Sequence, residues 1–382
     1  MHIVFFAHPL FLRSQSMRRY AEILSEGMRK RGHTVEVWAP SPYFFRLPIL
    51  KKWFGYIDQY IIFPLIVKRR MAKCPKDTLF VFTDHALGPW VPIASDRKHI
   101  IHCHDFLAQR SALDEIPENR TSRTGKLYQS FIRKGYKKGR NFISISNKTQ
   151  EDLHRFLGFS PELSEVVYNG QNRSFSLDSV ENARTYIREK TGIEVNNGYL
   201  LHVGGNQWYK NRRGVIEIYN AWRKKSGINL PLLMIGFQPS ASLKQVCEQS
   251  PYKEDIHWLI SAPDDLVRQA YVGASIFLFP SLSEGFGWPI IEAMASGTLV
   301  ITTNEAPMTE VAGDAAFLID RRPRDGENVE KWAIDSAEVV DRVFKLPDAD
   351  KKVWVNRGLE NTRRFDMQDK LDEIESIYKK IT

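Results

Sequence analysis

Short apolar runs alternate along the chain with longer segments whose apolar residues recur at helical spacing. The runs predict buried strands at residues 2–6, 34–38, 79–83, 99–104, 141–145, 199–203, 232–236, 256–259, 276–279 and 298–302. The helical spacing predicts helices at residues 16–31, 123–140, 147–157, from about 211, 263–271, 289–296 and through most of 328–382. Strands that alternate with helices in this way predict an α/β protein built from doubly wound parallel sheets.

Chain length and composition predict two domains. The chain has 382 residues, of which 43% are hydrophobic, enough for two sizeable cores. A polar segment at 173–197 contains Asn196-Asn197-Gly198 and is predicted to hold the domain boundary. We therefore assign residues 1–178 to a first domain and 179–365 to a second, followed by a last helix at 366–382.

The most informative stretch is Ser281–Gly297, in which a strand is followed by a glycine loop and a helix. Pro289 is predicted at the first helical position, where its missing N–H is not needed. A helix start of this kind aims unpaired N–H groups at one spot and favours phosphate or sugar oxygens. Glu284 and Glu292 flank the loop, and carboxylates accept hydrogen bonds from hydroxyls. The ligand that fits these groups is a phosphate carrying polyols, which describes a nucleotide sugar.

This stretch resembles the signature of the retaining glycosyltransferases of family 4, usually E-G-F-G-x-P-x-x-E-A-M-A-x-G. Every fixed position is met here, and the resemblance is strongest from Tyr199 to Asp320. It implies the GT-B fold, in which two doubly wound Rossmann-like domains face each other across a cleft. In that fold the last helix crosses back to the first domain. The resemblance also implies transfer of a sugar from a nucleotide-diphosphate sugar to an acceptor hydroxyl, with the anomeric configuration retained.

The resemblance assigns donor-binding roles to residues of two glycine loops. Glu292 is expected to hold the ribose hydroxyls, and Glu284 with the Gly285–Gly287 backbone to hold the donor hexose. Lys210, after the earlier glycine loop, is expected to contact the diphosphate. Many family members have an arginine at the position of Gly205, so a second phosphate contact is either missing or supplied by Arg212 or Arg213. The predicted donor-binding residues are Gly204, Gly205, Lys210, Arg212, Gly285, Phe286, Gly287 and Glu292.

The predicted acceptor side lies in the first domain. His104 ends a buried strand, and ligands of parallel sheets collect beyond the carboxyl ends of strands. In the family this histidine lies near the donor sugar and the acceptor hydroxyl. The predicted catalytic residues are therefore His104 and Glu284, and the acceptor side is predicted to include Arg13, Ser14 and Asp105. His102 alternates to the other face of the strand and is predicted to be core.

The loop after the first strand, Ala7–Ser14, contains no glycine. A nicotinamide-binding unit would carry G-x-G-x-x-G there, so a dehydrogenase is disfavoured. Many members of the resembled family have a Gly-Gly pair in this loop, and this chain departs from them.

The predicted function is a metal-independent hexosyltransferase of cell-surface polysaccharide synthesis that uses a glycan or lipid-linked saccharide as acceptor. No Asp-x-Asp string lies on a suitable loop, so neither a metal nor another cofactor is expected. Three alternatives stay open. They are a nucleotide-sugar epimerase or phosphorylase of the same architecture, a non-catalytic nucleotide-sugar-binding subunit of a polysaccharide-assembly complex, and a nucleic-acid binder. Only the charge suggests the last, and no nucleic-acid partner is expected.

The net charge of +9 is unevenly distributed along the chain. Residues 1–178 hold 28 Lys and Arg against 16 Asp and Glu, whereas the remainder holds 26 against 29. Within the basic half, segment 43–73 mixes aromatic and basic residues, a pattern that suits contact with an anionic membrane surface. The alternative, weighed equally, is a pair of helices buried in the first domain.

The cysteines and the N-terminal residues predict the compartment in which the protein works. Three scattered cysteines and an N-terminal strand that lacks the features of a signal peptide predict a cytoplasmic protein. The inner face of the cell membrane is the expected place of any peripheral contact.

Overall fold

A computed structural model describes residues 1–11, 15–46, 51–171 and 174–382. The chain forms two compact units. The first contains Met1–Gly170 together with Met367–Thr382, and the second contains Gln171–Asp366. The predicted residues Arg13 and Ser14 lie outside the described residues.

The first unit is organised around a parallel six-stranded sheet with the order β2-β1-β3-β4-β5-β6. The register pairs Phe6 of β1 with Trp38 of β2 and with Phe82 of β3. Because β2 lies on one side of β1 and β3 to β6 on the other, the chain reverses its winding direction between β1 and β3. The strands are β1 His2–Phe6, β2 Thr34–Trp38, β3 Leu79–Phe82, β4 His99–Cys103, β5 Asn141–Ser144 and β6 Leu163–Val166.

Helices cover both faces of this sheet, because alternate residues of each strand point to opposite sides. One face buries Phe6 and Phe80 against Trp90. The other buries Ile3 and Phe5 with residues of the first and last helices. The last helix thus belongs to the first unit, although it follows the second unit in sequence. The helices are α1 Gln15–Lys30, α2 Lys51–Ile57, α3 Phe63–Met71, α4 Leu107–Ala112, α5 Arg123–Tyr136, α6 Asn147–Leu157 and, at the chain end, α15 Met367–Ile381.

Segment 43–73 is helical from Lys51 to Met71. A π-helical turn, Asp58–Ile62, joins α2 to α3. The inner side of α3 is core, since Phe63, Val67 and Met71 are buried. Among the described residues, no helix is both long enough and apolar enough to cross a bilayer.

The second unit contains a parallel six-stranded sheet with the order β12-β11-β10-β7-β8-β9. Here the winding reverses between β7 and β10, which pair directly. The strands are β7 Leu200–Val203, β8 Leu232–Gly236, β9 Ile256–Ile260, β10 Ile276–Phe279, β11 Val300–Thr303 and β12 Phe317–Ile319. The helices are α7 Val180–Thr191, α8 Arg212–Ser226, α9 Ala241–Glu248, α10 Asp264–Gly273, α11 Trp288–Ala295, α12 Met308–Ala312, α13 Val329–Phe344 and α14 Asp348–Thr362.

The division between the units falls after Gly170, whereas the first domain was predicted to extend to Asp178. Residues beyond Gly170 pack on the second unit, because the Phe175 ring meets Tyr271 at 5.6 Å between centroids and Leu177 lies beside Gly297. The polar segment predicted as a linker also contains a helix, α7. Only Ala183 and Ile187 of α7 are buried, so its apolar signal is weak.

Two elements of the first unit are missing from the predicted strands and helices. One is β6, Leu163–Val166, a half-buried edge strand with little apolar signal. The other is a 3₁₀-helix, His85–Ile93, which contains Pro89 and Pro92 and is capped by the Asp84 carboxylate. Ser146 caps α6, a predicted helix, by accepting a hydrogen bond from the Thr149 N–H.

Candidate active site

The sheet of the second unit brings its two glycine loops side by side. One loop, Gly204–Lys210, follows β7, and the other, Ser281–Gly287, follows β10. These strands are neighbours at the point where the winding reverses, which is where open α/β sheets bind ligands. The donor-binding residues predicted from sequence therefore gather at one edge of one sheet.

Hydrogen bonds tie the two loops together. The Leu282 N–H donates to the Tyr209 carbonyl at 2.7 Å, and the Asn211 amide donates to the Pro280 carbonyl at 2.8 Å. Asn211 also caps α8 by accepting from the Gly214 N–H. One buried asparagine thus fixes the end of one loop and the start of a helix.

Lys210 and Glu284 form an ion pair within this arrangement. Lys210 Nζ lies 2.8 Å from Glu284 Oε1, and the ammonium also lies 4.9 Å from the centre of the Phe279 ring. The side chains are 14% and 8% exposed, so water screens the pair weakly. The structure therefore places a cation and a carboxylate, both predicted to touch the donor, in direct contact.

Glu292 lies on α11, one turn beyond the start of the helix. Its Oε2 accepts a hydrogen bond of 3.0 Å from the Tyr271 hydroxyl of α10. Tyr271, which was not among the predicted site residues, holds this carboxylate in place. Pro289 occupies the second helical position, because α11 begins at Trp288 and Gly287 precedes it with a left-handed φ of 113°. Glycine suits that backbone conformation.

The remaining residues of the signature loop differ in burial. Phe286 is 4% exposed, and its ring meets Phe365 at 5.7 Å between centroids. Gly285 lies at the half-buried surface. The Phe286 ring thus anchors the loop, and of the two glycines beside it Gly287 is buried and Gly285 is partly exposed.

Gly204 and Gly205 allow close backbone approach at the end of β7. A Cβ on Gly204 would lie 2.9 Å from His202 Nε2, and one on Gly205 would lie 2.4 Å from Gln207 Oε1. The Gly204 carbonyl in turn lies against Gly236. A side chain at either glycine of this loop would displace its neighbours.

Arg212 contacts the first loop, whereas the ion pairs of Arg213 within the described residues lie elsewhere. Arg212 donates to the Asn206 side chain and to the Phe237 carbonyl at 2.9 Å, and its guanidinium stacks 4.7 Å from the centre of the Trp258 ring. Burial lowers its pKa to about 10. Its Nε and Nη2 atoms have no hydrogen-bond partner among the described residues. Arg213 is half exposed and pairs with residues outside the loop.

His202 is a buried histidine that was not among the predicted site residues. Its Nδ1 lies 3.0 Å from the Leu278 carbonyl, so in the neutral ring this nitrogen carries the proton. Burial lowers the pKa of His202 to about 3. Within the described part of the chain Nε2 has no partner, and it faces Gly204. No local motif marks this histidine, because its position depends on the pairing of β7 with β10.

The first unit has its own reversal point, between β1 and β3. His8 follows β1 and Asp84 follows β3, and His8 Nε2 lies 2.8 Å from Asp84 Oδ2. Asp84 also accepts the Ala86 N–H and lies 3.0 Å from His85 Nδ1. Burial alone would raise the pKa of Asp84, but His85 and His8 hold it well below its usual range. These residues were not among the predicted site residues.

His104, beyond the end of β4, lies in the same part of the first unit. Its Nε2 is 2.8 Å from the Thr83 carbonyl, and its ring packs edge-on at 4.5 Å from the Tyr20 ring. Burial lowers the pKa of His104 and favours the neutral ring. Since the carbonyl can only accept, Nε2 carries the proton and Nδ1 keeps its lone pair. His104 is thus able to accept a proton or a hydrogen bond at Nδ1.

Asp105 and His102 complete the predicted residues of this strand end. Asp105 Oδ1 accepts the Leu107 N–H at 3.0 Å, and burial raises the pKa of Asp105. His102 is core, as predicted. Its Nδ1 lies 2.8 Å from the Tyr20 hydroxyl, and its Nε2 lies 2.8 Å from the Tyr378 hydroxyl.

Among the described residues, no group of three or more His, Cys, Asp or Glu side chains is arranged to hold a metal ion.

Two family models match adjoining parts of the chain. The model described as Glycosyltransferase Family 4 matches residues 17–175, and the model described as Glycosyl transferases group 1 matches residues 183–339. Together they span most of both units. They include His104 in the first match and the two glycine loops in the second.

Curated relatives carry related names. O-antigen chain mannosyltransferase B of Escherichia coli is 28% identical over 184 residues, 48% of this chain and 46% of that protein. O-antigen chain mannosyltransferase RfbU of Salmonella typhimurium is 26% identical over 225 residues, 59% of this chain and 57% of that protein. The chain spans about half the length of the curated relatives it matches.

Solved structures confirm the predicted fold. Sucrose-phosphate synthase from Thermosynechococcus elongatus superposes with a TM-score of 0.74 at 14% identity, covering 100% of this chain and 99% of that one. HepE from Anabaena, solved with UDP and glucose, has a TM-score of 0.72 at 17% identity, covering 100% of both chains. At these identities the likeness establishes the α/β architecture of the GT-B type alone.

Proposed function

The chain belongs to the family 4 glycosyltransferases, and from this premise we propose that it transfers a hexose from a nucleotide-diphosphate sugar to an acceptor hydroxyl. The proposal includes retention of the anomeric configuration and catalysis without a metal ion. The acceptor class we propose is a glycan or lipid-linked saccharide of cell-surface polysaccharide synthesis. The names of the O-antigen mannosyltransferases among its relatives support that class.

One observation carries the donor half of this proposal. Lys210 and Glu284 meet at 2.8 Å where β7 and β10 end, beside two glycine loops and the start of α11. A lysine is a point charge suited to a diphosphate, and the helix start adds N–H groups and a positive dipole end. The carboxylates of Glu284 and Glu292 supply acceptors for sugar and ribose hydroxyls.

The chemistry required of these groups is modest. As the bond from the sugar to the diphosphate breaks, negative charge grows on the leaving phosphate. Lys210 and the backbone N–H groups would stabilise that charge in place, with no rearrangement during the reaction. Arg212, turned toward the first loop, is the proposed source of the second cationic contact.

The first unit is proposed to receive the acceptor. His104, held neutral by burial and with its Nε2 proton committed to the Thr83 carbonyl, offers Nδ1 to an acceptor hydroxyl. Asp105 is a second hydrogen-bonding group at the same strand end. His8 and Asp84, at the neighbouring strand ends, extend the polar surface available to a saccharide.

A thermal-shift screen followed by a transfer assay tests the proposal. One of the UDP-, GDP-, dTDP- and ADP-sugars is expected to raise the melting temperature, because a ligand that binds the folded state stabilises it by mass action. The same sugar should then be transferred to a saccharide acceptor, with the anomeric configuration of the product read by NMR. The Lys210→Met variant should lose most of the shift.

The assay also separates the alternatives. Conversion of the sugar with donor alone would indicate an epimerase, and sugar release that requires inorganic phosphate would indicate a phosphorylase. Donor binding without any turnover across the acceptor panel would indicate a non-catalytic subunit. Inversion of the anomeric carbon would overturn the retaining mechanism, and absence of a shift with every nucleotide sugar would overturn the donor site.

A further inference from the structure

Four aromatic rings follow one another across two helical segments of the first unit. Trp53, Tyr56, Tyr60 and Phe131, here called the aromatic strip, have successive ring centroids 6.1, 6.0 and 5.4 Å apart. The hydroxyls of Tyr60 and Tyr128 share a hydrogen bond of 2.6 Å, which joins segment 43–73 to α5. The ends of the strip are the most open, since Trp53 is 64% exposed and Phe131 is 46% exposed.

Aliphatic side chains widen this apolar surface. Ile61 follows Tyr60 directly, and Leu65 lies one turn further along α3; each is more than half exposed. Leu127 lies one turn before Phe131 on α5 and is 72% exposed. The opposite side of α3 is buried, so the outward apolar residues are not needed for the core. An apolar surface of this extent on a folded protein marks an interaction site.

The two segments that carry this surface are strongly basic. Residues 43–73 contain seven Lys and Arg, and residues 120–140 contain eight, against a single acidic residue, Asp58. Asp58 is 1% exposed and accepts the backbone N–H groups of Phe44 and Phe45. The only acid in these two ranges is therefore turned inward and committed, and the exposed charged residues of the two ranges are basic. One basic residue of the ranges, Lys126, forms an ion pair with Asp114 outside them.

We propose that this face of the first unit, the aromatic strip with its basic surroundings, binds the surface of an anionic phospholipid bilayer. Exposed Lys68, Arg69 and Arg70 would meet the headgroup phosphates. Trp53, Leu127 and Phe131 would enter the interface between headgroups and acyl chains. A nucleic acid would match the charge but offers no hydrocarbon to the aliphatic residues, so a bilayer fits the surface better. This inference does not depend on the proposed sugar transfer.

Co-sedimentation of the full chain with lipid vesicles tests the inference. We expect the protein to sediment with vesicles of about one-third phosphatidylglycerol in phosphatidylcholine, not with phosphatidylcholine alone, and to be released by salt. A strip variant, Trp53→Ser with Leu127→Ser and Phe131→Ser, should reduce the bound fraction on the order of tenfold. A charge variant, Lys68→Glu with Arg69→Glu and Arg70→Glu, should do the same.

A matched variant controls for net charge. Lys224→Glu, Lys244→Glu and Lys352→Glu change the charge equally at exposed positions of the second unit and should leave vesicle binding intact. The single variant Trp53→Ser tests the strip with a smaller change to the protein. Each variant should keep the melting temperature of the parent protein and the increase in melting temperature that the nucleotide sugar produces. The proposal fails if anionic vesicles are not bound, if the control variant loses binding equally, or if duplex DNA displaces the protein from the vesicles.

Discussion

Lys210 Nζ lies 2.8 Å from Glu284 Oε1, although 74 positions separate the two residues in sequence. Each was predicted to touch a different part of the donor, the lysine its diphosphate and the glutamate its sugar. A diphosphate brought to Lys210 is repelled by the adjacent carboxylate, while a sugar hydroxyl is attracted to it. The pair therefore makes ligand binding and turnover respond differently to loss of the carboxylate.

Substitution of Glu284 by Gln separates these two effects. Without the carboxylate, Lys210 is fully available to phosphate, so affinity for the free nucleoside diphosphate should stay the same or rise by about 1 kcal/mol. Transfer should fall at least about tenfold, because a contact to the donor sugar is lost. Calorimetry on the nucleotide and steady-state kinetics measure the two quantities. Glu338→Gln, which removes an exposed pairing with Lys225, should change neither. Parallel losses of nucleotide affinity and turnover would contradict this role.

Substitution of Glu292 by Ala should mainly weaken donor binding. Ribose hydroxyls left without an acceptor should cost about 1–3 kcal/mol. Tyr271→Phe keeps the carboxylate and removes only the hydroxyl that holds it at 3.0 Å, so its effect should be smaller. The dissociation constants of the nucleotide sugar, measured for both variants, show which substitution weakens donor binding more. A larger loss in Tyr271→Phe than in Glu292→Ala would show that Glu292 does not itself contact the donor.

The sequence was sufficient for features that depend on local pattern. Most strands and most helices of both units follow from apolar runs and helical spacing, although β6 and β12 do not. The placement of Glu284 in a loop and of Glu292 one turn into the following helix also follows from local pattern. The resemblance to the family was likewise read mainly from the short stretch Ser281–Gly297, whereas the two family models span most of the chain.

Pairings between distant segments could not be predicted in the same way. His8 and Asp84 are 76 positions apart and meet because β1 and β3 are neighbours in the sheet. His202 and the Leu278 carbonyl likewise depend on the pairing of β7 with β10. Strand order is a tertiary property, and a single sequence gives no local signal for it.

Metal independence stays a prediction, and chelation tests it directly. Transfer activity is expected to be unchanged after treatment with EDTA, because Lys210 and backbone N–H groups are proposed to do the work of a divalent ion. The assay compares initial rates with and without EDTA and after addition of Mg²⁺ or Mn²⁺. A loss of activity on chelation that either ion restores would show that a metal takes part.

Substitution of Asp84 by Asn should destabilise the first unit in a pH-dependent way. The folded pKa of Asp84 is depressed by His85 and His8, against burial, so its stabilisation is present above the unfolded pKa of about 3.9. It is lost as the pH falls through the folded pKa. At pH 7 the variant should be less stable by about 1–3 kcal/mol, since buried partners lose a charged acceptor. Melting curves at several pH values should show that the difference in stability between the variant and the parent protein becomes smaller below about pH 4. A stability difference that grows as the pH falls would contradict a depressed pKa of Asp84 in the folded protein.

His102 should make the first unit sensitive to mild acid. Its pKa is lowered to about 3 by burial, with a smaller contribution from His104, whereas an unfolded chain has a histidine pKa of about 6.5. Between these values the unfolded chain binds the extra proton, so stability falls as the pH is lowered from about 6.5 toward 3. By pH 5 the loss is on the order of 1–2 kcal/mol from this residue. His102→Gln removes the titration, although its altered contacts with Tyr20 and Tyr378 should lower stability at pH 7. Urea unfolding at pH 7, 6 and 5 should therefore give a shallower pH slope for the variant than for the parent protein, and equal slopes would show that His102 is not buried in its neutral form.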